Sequence, residues 1–317
     1  MDIGLGAPTR GSLANKRDLK RVVERAETLG FNSLWIPDHI VIPSSFAPNY
    51  PYAADGRPTF PSIWLEQLTA MAWLAGITEN MQLVTSVMVV PHRRPVHTAK
   101  ILSTIDVLSG GRVILGCGAG WMEEEFVALG AEPFAERGQV TDEYIRIFRE
   151  LWTSDSPTFE GDYARFSDIV FEPRPIQEPG IPIWIGGEGP RAIRRVVELG
   201  DGWMPIGANP KFPLYTLELY TSALERLTRR CEAAGRDPAT VTKVYFAVWP
   251  SNAPPFEPEV GQRFLCTGTD AQIADDINQL AEAGVDHLLL NFARPTLDET
   301  LAEMDRFASD IRPKLDS

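Results

Sequence analysis

The sequence is poor in the residues that build disulfide frameworks and metal centres. Its 317 residues include 3 cysteines and 4 histidines. The cysteines are odd in number and far apart, so they form neither a disulfide framework nor a metal-ligand spacing. The histidines form no HxxxH or HxH pair. We therefore expect free thiols in a reducing cytoplasm and no structural metal. The cysteines are Cys117, Cys231 and Cys266, and the histidines are His39, His92, His97 and His287.

Positive charge and long apolar runs are also scarce. Lys and Arg number 30 against 43 Asp and Glu, which gives a formal net charge of −13. Nucleic acids and anionic membranes are bound through clustered cations, so this balance argues against both as partners. The apolar run at residues 83–90 is far shorter than the ~20 residues that span a bilayer. No basic segment precedes a long apolar one at the N-terminus, so we expect no signal peptide.

The sequence does contain a repeated order of helix, glycine and short strand. It occurs in ETLGFNSLWI, VELGDGWMPI and AEAGVDHLLLN. The full count is eight strands and eight helices, including a helix from Pro95 to Gly110, one long helical region over about 121–152 and a helix near 211–234. Eight regular units favour an α/β fold of the (β/α)8 TIM-barrel class, and a doubly wound open sheet is the alternative. We expect one domain over residues 1–317.

Long segments interrupt this rhythm. Residues 37–62 form a loop rich in Pro and Tyr after the second strand, and residues 153–180 read as a hairpin followed by a Pro-rich stretch. A further loop, residues 249–263, follows the seventh strand. Long loops in a compact domain commonly act as lids or binding loops, and loops that follow strands lie at the catalytic face of a barrel. We expect the first and third segments at that face.

The strand LVTSVMVVPHRRP, residues 83–95, has an unusual composition for a strand that only builds a core. Thr85 and Ser86 lie in the middle of its apolar run, and it ends on a proline, a histidine and two arginines. His39 follows Asp38 at the end of the second strand. An imidazole at that position can move a proton or hold a carbonyl oxygen, and the alternative is a loop histidine bonded to its neighbours.

Two glycine-rich segments also end strands. IGGEGPR, residues 185–191, opens a helix whose N-terminus suits a phosphate, although a plain turn reads the same way and Glu188 would oppose an anion. GCGAGW, residues 116–121, lacks the GxGxxG spacing and belongs to the fourth strand, which argues against a dinucleotide fold. We expect its glycines to let a flat ring or its sugar tail approach the backbone.

Together these segments resemble the bacterial luciferase-like monooxygenase superfamily, within it the branch that uses the deazaflavin coenzyme F420. The resemblance runs from residue 2 to about 310, and three stretches carry it: LGFNSLWIPDH, LVTSVMVVPHRRPVHTAKILSTIDVLSGGRVILGCGAGWMEEEF and IPIWIGGEGPRAIRRVVELGDGWMP. It implies a TIM barrel, usually a homodimer, that acts on a small organic substrate. It also implies a diffusible reduced cofactor supplied by a separate reductase, F420 or alternatively FMN.

The resemblance also implies particular site residues. The Asp–His pair of the deazaflavin branch corresponds to Asp38 and His39, and a cis peptide bond is expected at Ser86–Val87, behind the cofactor ring. Residues expected to contact the cofactor are Thr85, Ser86, Val87, Gly118, Ala119, Gly120, Gly186, Gly187, Glu188 and Gly189.

The substrate is less defined. Trp121 stands where sugar-phosphate dehydrogenases of this branch carry a catalytic glutamate, which argues against a sugar phosphate. An apolar or aromatic substrate pocket is suggested by Trp121 together with Tyr50, Tyr52 and Trp249, although core packing explains single aromatics equally well.

Four functions follow as hypotheses. The first is hydride transfer with F420, and the second is an FMN-dependent monooxygenase whose insertion loops shield the site from water. The third is a barrel that binds a flavin without turnover. The fourth, a metal-dependent hydrolase, needs clustered His and Asp at strand ends, which this sequence does not provide.

Overall fold

A computed structural model describes residues 1–53, 55–57, 60–61, 63–249 and 256–316. Four positions of the 37–62 segment and residues 250–255 of the loop after the seventh strand lie outside this description. Within the described residues, eight parallel strands close into a barrel, which confirms the predicted fold class. A separate antiparallel pair forms the hairpin predicted within residues 153–180.

The barrel strands follow one another around the ring in chain order, and the last pairs with the first. The third strand is interrupted after four residues, and both of its parts pair with the same neighbour. The strands are β1 Asp2–Gly6, β2 Ser33–Ile36, β3 Gln82–Thr85 continued by β4 Met88–Val89, β5 Val113–Gly118, the hairpin strands β6 Phe159–Glu160 and β7 Arg165–Phe166, then β8 Ile183–Gly186, β9 Gly202–Met204, β10 Thr242–Phe246 and β11 His287–Leu290.

Helices cover the outside of the barrel. They are α1 Lys16–Thr28, α2 Gln67–Ala75, α3 Pro95–Ser109, α4 Glu123–Leu129, α5 Arg137–Thr153, α6 Pro190–Leu199, α7 Leu217–Ala233, α8 Asp270–Glu282 and α9 Leu297–Arg306. Local signals set several of these ends. Asn15 accepts a hydrogen bond from the Asp18 N–H and so caps α1, while Pro95 begins α3 and Gly110, in the left-handed conformation, ends it.

Two predicted helices differ from the observed ones. The region 121–152 is two helices, because Gly130 is left-handed at the end of α4 and a short 3-10 turn separates it from α5. The helix expected near residue 211 begins only at Leu217, where the Thr216 side chain accepts a hydrogen bond from the Leu219 N–H. The count of helices in the described chain therefore exceeds the predicted eight by one.

The barrel interior is filled by apolar side chains, one from each of seven strands. A second, larger apolar cluster lies between the strands and the surrounding helices. The interior residues are Trp35, Val84, Ile114, Trp184, Met204, Val244 and Leu289. This packing leaves the carboxyl ends of the strands as the place where polar side chains can gather.

The break in the third strand explains two of the glycines. The Ser86–Val87 peptide bond is cis, as the resemblance implied, and Val87 is half-buried at the barrel mouth. A Cβ added to Gly118 would overlap Cγ2 of Val87, and one added to Gly186 would lie 2.8 Å from Cγ1 of the same side chain. These glycines therefore make room for Val87, a cause that the sequence alone did not suggest.

We expect Gly118→Ala to destabilise the fold by about 1–3 kcal/mol, because the added methyl meets a β-branched side chain in a packed barrel. Urea unfolding measures the change. The matched control is Gly76→Ala, whose added Cβ would lie 3.6 Å from the Trp73 carbonyl oxygen, an ordinary contact. Equal stability of Gly118→Ala and Gly76→Ala would contradict this packing.

Candidate active site

A buried histidine and a buried glutamate form the centre of the site. His39, after β2, lies with Nδ1 2.6 Å from Oε2 of Glu125, which stands in the first turn of α4. The other carboxylate oxygen of Glu125 accepts the N–H groups of Ile40 and Val41 at 2.8 and 3.2 Å. Because this carboxylate accepts from Nδ1, the other imidazole nitrogen, Nε2, is the one available to a ligand.

The charge state of Glu125 follows from its neighbours. Burial alone would raise the pKa of Glu125, but the hydrogen bond and charge of His39 and the N–H of Ile40 outweigh it, and the pKa is lowered. The carboxylate is therefore ionised at neutral pH and holds a proton on Nδ1 of His39. The pair has the form of a general acid–base histidine with an orienting carboxylate.

Sequence reasoning missed Glu125. It is the last of three consecutive glutamates, of which Glu123 is exposed and Glu125 is 1% exposed. The available signal was an acidic run at the start of a helix that follows a strand end on the catalytic face, directly before the buried Phe126. An acidic run of this kind usually lies at a solvated helix start. The sequence does not indicate that Glu125 is buried while Glu123 is exposed.

Asp38 is engaged in a different contact. Its carboxylate accepts the Val89 N–H at 2.9 Å and both terminal nitrogens of Arg93 at 2.7 and 2.8 Å. Arg93 also donates to Glu66 at 2.8 Å. Asp38 stands at the start of the 37–62 segment and Glu66 just after its end, so one guanidinium ties both ends of the segment to the barrel.

His92 lies beside this centre. Its Nδ1 is 3.9 Å from Glu125 Oε1, its ring meets Phe126 edge-on at 4.7 Å, and neither ring nitrogen has a hydrogen-bond partner among the described residues. Burial lowers the pKa of His92 to about 4, against the raising effect of Glu125 and Asp38. The His92 imidazole is therefore neutral at physiological pH, and His39 is the imidazole that hydrogen-bonds Glu125.

An aromatic cluster covers His39. Its ring centroid lies 4.8 Å from Trp64, 4.9 Å from Phe60 and 6.3 Å from Trp121. Two further rings of the 37–62 segment, Phe46 and Tyr50, pack on these, and together with Phe60 they surround Trp121 at 5.1–6.0 Å. We define the aromatic cluster as Phe46, Tyr50, Tyr52, Phe60, Trp64 and Trp121. Three of the four predicted substrate residues, Tyr50, Tyr52 and Trp121, thus belong to this cluster, and of these Trp121 is the one whose ring lies beside His39.

The fourth, Trp249, lies elsewhere. It is fully buried, packs on Phe292 at 4.6 Å and Phe307 at 5.9 Å, and its Nε1 donates to Glu303 at 2.9 Å. Trp249 was expected to contact substrate, but its surroundings are those of a core residue. Its position in a loop that follows a strand suggested the catalytic face, but the side chain turns toward α9.

The residues predicted to contact a cofactor ring line the barrel mouth beside this centre. Ser86 and Val87 are half-buried there, whereas the Thr85 hydroxyl donates to the Gly116 carbonyl at 2.8 Å and is fully buried. Ala119 is half-buried, and Gly120 is left-handed, with an added Cβ 2.7 Å from Phe126. The structure therefore engages Thr85 within the barrel and leaves Ser86 and Val87 facing the mouth.

The loop before α6 contains the remaining predicted residues. Gly186, Gly187 and Gly189 are half-buried, while Glu188 is buried and accepts the Ile206 N–H at 2.8 Å and the Asn209 amide at 2.6 Å. Tyr52 lies beside this carboxylate: burial and the nearby charge of Glu188 raise the pKa of Tyr52, which links the aromatic cluster to this loop.

The charge of Glu188 is reduced near neutral pH. Burial raises the pKa of Glu188 to about 7, and the hydrogen bonds from Ile206 and Asn209 only partly offset this rise. Its carboxyl group is thus partly neutral near pH 7, which weakens the repulsion that an anion at the start of α6 would otherwise meet.

The chain belongs to the luciferase-like monooxygenase family, whose profile matches residues 1–253, and it is an oxidoreductase of that family. The F420-dependent glucose-6-phosphate dehydrogenase of Intrasporangium calvum is 30% identical over 345 residues, covering 94% of this chain and 95% of that protein. An uncharacterized protein of Mycobacterium tuberculosis is 28% identical over 304 residues, 93% of this chain and 94% of that protein.

Solved structures share the fold. The monooxygenase RslO1 of Streptomyces bottropensis has a TM-score of 0.75 at 20% identity and covers 99% of both chains. An F420-dependent secondary alcohol dehydrogenase, solved with an F420–acetone adduct, has a TM-score of 0.71 at 22% identity, covering 100% of this chain and 99% of that one. The FMN complex of the oxygenating constituent of 3,6-diketocamphane monooxygenase of Pseudomonas putida has 0.71 at 16% identity, covering 99% of each.

No helix in the described part of the chain is long and apolar enough to cross a membrane.

The raised pKa of Glu188 predicts how the free energy of unfolding changes with pH. Between its ordinary value of 4.5 and about 7 the folded state holds a proton that the unfolded state has lost, so this group lowers stability as pH rises through that window. The free energy of unfolding of Glu188→Gln relative to the wild type should therefore increase by about 3 kcal/mol from pH 4.5 to 7.5. Urea unfolding across this range tests it.

The control is Glu232→Gln, at an exposed carboxyl on α7. Its stability relative to the wild type should stay flat over the same range. A flat profile for Glu188→Gln as well would show that Glu188 is solvated and normally ionised.

Proposed function

We propose that this protein transfers a hydride between the deazaflavin F420 and a small organic substrate, with His39 handling the accompanying proton. The observation that carries the proposal is the His39–Glu125 pair at the barrel mouth, 2.6 Å apart and almost wholly buried. The full-length relative named as an F420-dependent dehydrogenase supports the choice of cofactor.

The residues at the mouth fit a flat, phosphate-bearing cofactor. Val87 offers an apolar surface backed by Gly118 and Gly186, and the half-buried Ser86 hydroxyl lies next to it. The backbone N–H groups at the start of α6 suit the phosphate. We propose that the ring lies against Ser86 and Val87, the backbone of residues 118–120 borders it, and residues 186–189 hold the phosphate.

Bound F420 would supply a hydride acceptor or donor. Oxidation of an alcohol to a carbonyl compound releases one hydride from carbon and one proton from oxygen, and Nε2 of His39 accepts that proton. In the reverse direction Nε2 gives the proton to the carbonyl oxygen. Glu125 fixes the ring through Nδ1 and stabilises the imidazolium, while Asp38 positions the start of the 37–62 segment through Arg93.

An FMN-dependent monooxygenase is the second candidate. The aromatic cluster packed over His39 favours it specifically, because oxygen chemistry on a reduced flavin needs a site shielded from water. The family description supports the same reading.

We further propose that the chain acts as one domain over residues 1–317, works in the cytoplasm as a homodimer and receives reduced cofactor from a separate reductase. For the dimer, α2 offers an outer face: Leu68, Met71 and Leu74 are buried on the barrel, while Ala72 is exposed and Trp73 is half-buried.

Binding of F420 and FMN, each oxidised and reduced, separates the two candidates. Fluorescence titration should give micromolar or tighter binding of F420 and weak binding of FMN. The opposite preference would replace hydride transfer with the monooxygenase, to be followed by oxygen uptake in the presence of a flavin reductase. If neither cofactor binds, the chain still belongs to the family, but the residues at the barrel mouth have no role in binding a cofactor.

The roles assigned to His39 and Glu125 predict how substitutions at these positions change kcat. His39→Gln should lower kcat by about 10²–10⁴-fold, because the proton then has no acceptor. Glu125→Gln should lower kcat by up to about 10⁴-fold and shift the pH profile, since the imidazolium loses its carboxylate. Glu123→Gln, on the exposed side of the same helical turn, is the matched control and should keep the wild-type profile. Equal activity of the Glu125 and Glu123 variants would contradict the assignment.

A further inference from the structure

We infer that the substrate carries a carboxylate and that Arg10 binds it. This inference rests on the proposed function and adds the chemical class of the substrate. It comes from the position of Arg10 at the barrel mouth, from the tryptophan that Arg10 shares with His39, and from the lack of an acidic partner for Arg10 in the described part of the chain.

The backbone of Arg10 is fixed to the barrel at the same end as His39. Arg10 follows β1 and His39 follows β2, and these two strands are parallel neighbours. Arg10 forms a β-bridge with Trp64, and the N–H of Gly11 donates to the Ile63 carbonyl at 2.9 Å. The bridge is made by residues outside the 37–62 segment, so it holds Arg10 in place whatever conformation that segment adopts.

The guanidinium of Arg10 and the imidazole of His39 contact the same indole. The Arg10 Cζ lies 5.2 Å from the centroid of the Trp64 ring, and the centroid of the His39 ring lies 4.8 Å from it. A guanidinium over an aromatic face is held there without giving up its hydrogen-bond donors. The two groups lie within the length of one small molecule, so a substrate whose reacting oxygen meets Nε2 of His39 can reach Arg10 with a second group.

The donors of Arg10 are available to a ligand. The residue is exposed, and no carboxylate or carbonyl oxygen of the described chain accepts a hydrogen bond from its guanidinium. By contrast, the guanidinium of Arg93 is bonded to both Asp38 and Glu66. Because the planar guanidinium matches the two oxygens of a carboxylate, Arg10 suits a carboxylate better than a neutral group.

Tyr50 supplies a second donor beside Arg10. Burial raises the pKa of Tyr50, and the nearby charge of Arg10 opposes this rise only in part. The Tyr50 hydroxyl is therefore protonated at neutral pH, and it can donate to the same anion that Arg10 binds.

The topology assigns this anion to the substrate and not to the cofactor phosphate. Around the closed ring of described strands, β1 and β8 are four steps apart in either direction. The residues proposed to hold the phosphate follow β8 and Arg10 follows β1, so the two anion sites lie on opposite sides of the mouth. The protein has a formal net charge of −13, so its overall field does not attract anions and a carboxylate needs a specific cation.

Binding of benzoate and benzamide to the full chain tests the carboxylate. The two compounds share a ring and a shape and differ in charge. Isothermal titration at a fixed low ionic strength should give benzoate at least about tenfold tighter binding than benzamide. Equal affinity, or no measurable binding of benzoate, would overturn the inference. Displacement of benzoate by an equal concentration of sulfate would also overturn it, because the site would then bind anions in general.

Substitutions at Arg10 locate the binding. Arg10→Gln should weaken benzoate binding by about tenfold or more and leave benzamide binding unchanged, because the charge-assisted hydrogen bonds are lost. Arg10→Lys keeps the charge without the planar fork and should lie between Arg10→Gln and the wild type. Arg21→Gln, at an exposed arginine on α1, is the matched control and should bind both compounds as the wild type does. A retained preference for benzoate in both Arg10 variants would remove Arg10 from the site.

Turnover with F420 is measured separately, so the two proposals fail in different ways. If benzoate binds through Arg10 and no hydroxy acid or oxo acid undergoes hydride transfer, the proposed function fails and the carboxylate site stands. If neutral alcohols undergo hydride transfer at a rate that Arg10→Gln does not change, the substrate class fails and the function stands.

Discussion

The site depends on one buried carboxylate. Glu125 accepts hydrogen bonds from Nδ1 of His39 and from the N–H groups of Ile40 and Val41. A single side chain therefore fixes both the imidazole and the start of the 37–62 segment. A buried carboxylate without hydrogen-bond donors would destabilise the fold. The three donors remove this destabilisation, and the carboxylate remains ionised. The result is an oriented imidazole on a rigid support, as proton transfer requires.

A second buried pair fixes the ends of the 37–62 segment that covers the site. Arg93 joins Asp38, Glu66 and the end of the third strand, which explains why that strand ends on charged residues. The guanidinium is desolvated and bidentate, so it holds a geometry that a surface ion pair would not. The ends of the 37–62 segment are thereby fixed, and its aromatic rings pack on Trp121 and His39.

Much of the architecture could be predicted from the amino-acid sequence. The strand–helix repetition and the ends of α3 and α6 are local signals, and the family resemblance of the stretch around Ser86 and Val87 implied the cis peptide bond. What could not be predicted depends on long-range burial. Glu125 meets His39 across 86 positions of sequence, and Trp249 turns into the core although its loop follows a strand. The room that Gly118 leaves for Val87 is likewise a contact between two strands.

The most direct test of this account is the position of the proton on His39. Nitrogen NMR of the protein labelled at histidine, with the signals of His39 assigned from the His39→Gln variant, distinguishes the two ring nitrogens. The account predicts a proton on Nδ1 whose signal moves strongly in Glu125→Gln and stays in place in Glu123→Gln. A proton on Nε2 alone, or an Nδ1 signal that ignores the Glu125 substitution, would contradict it.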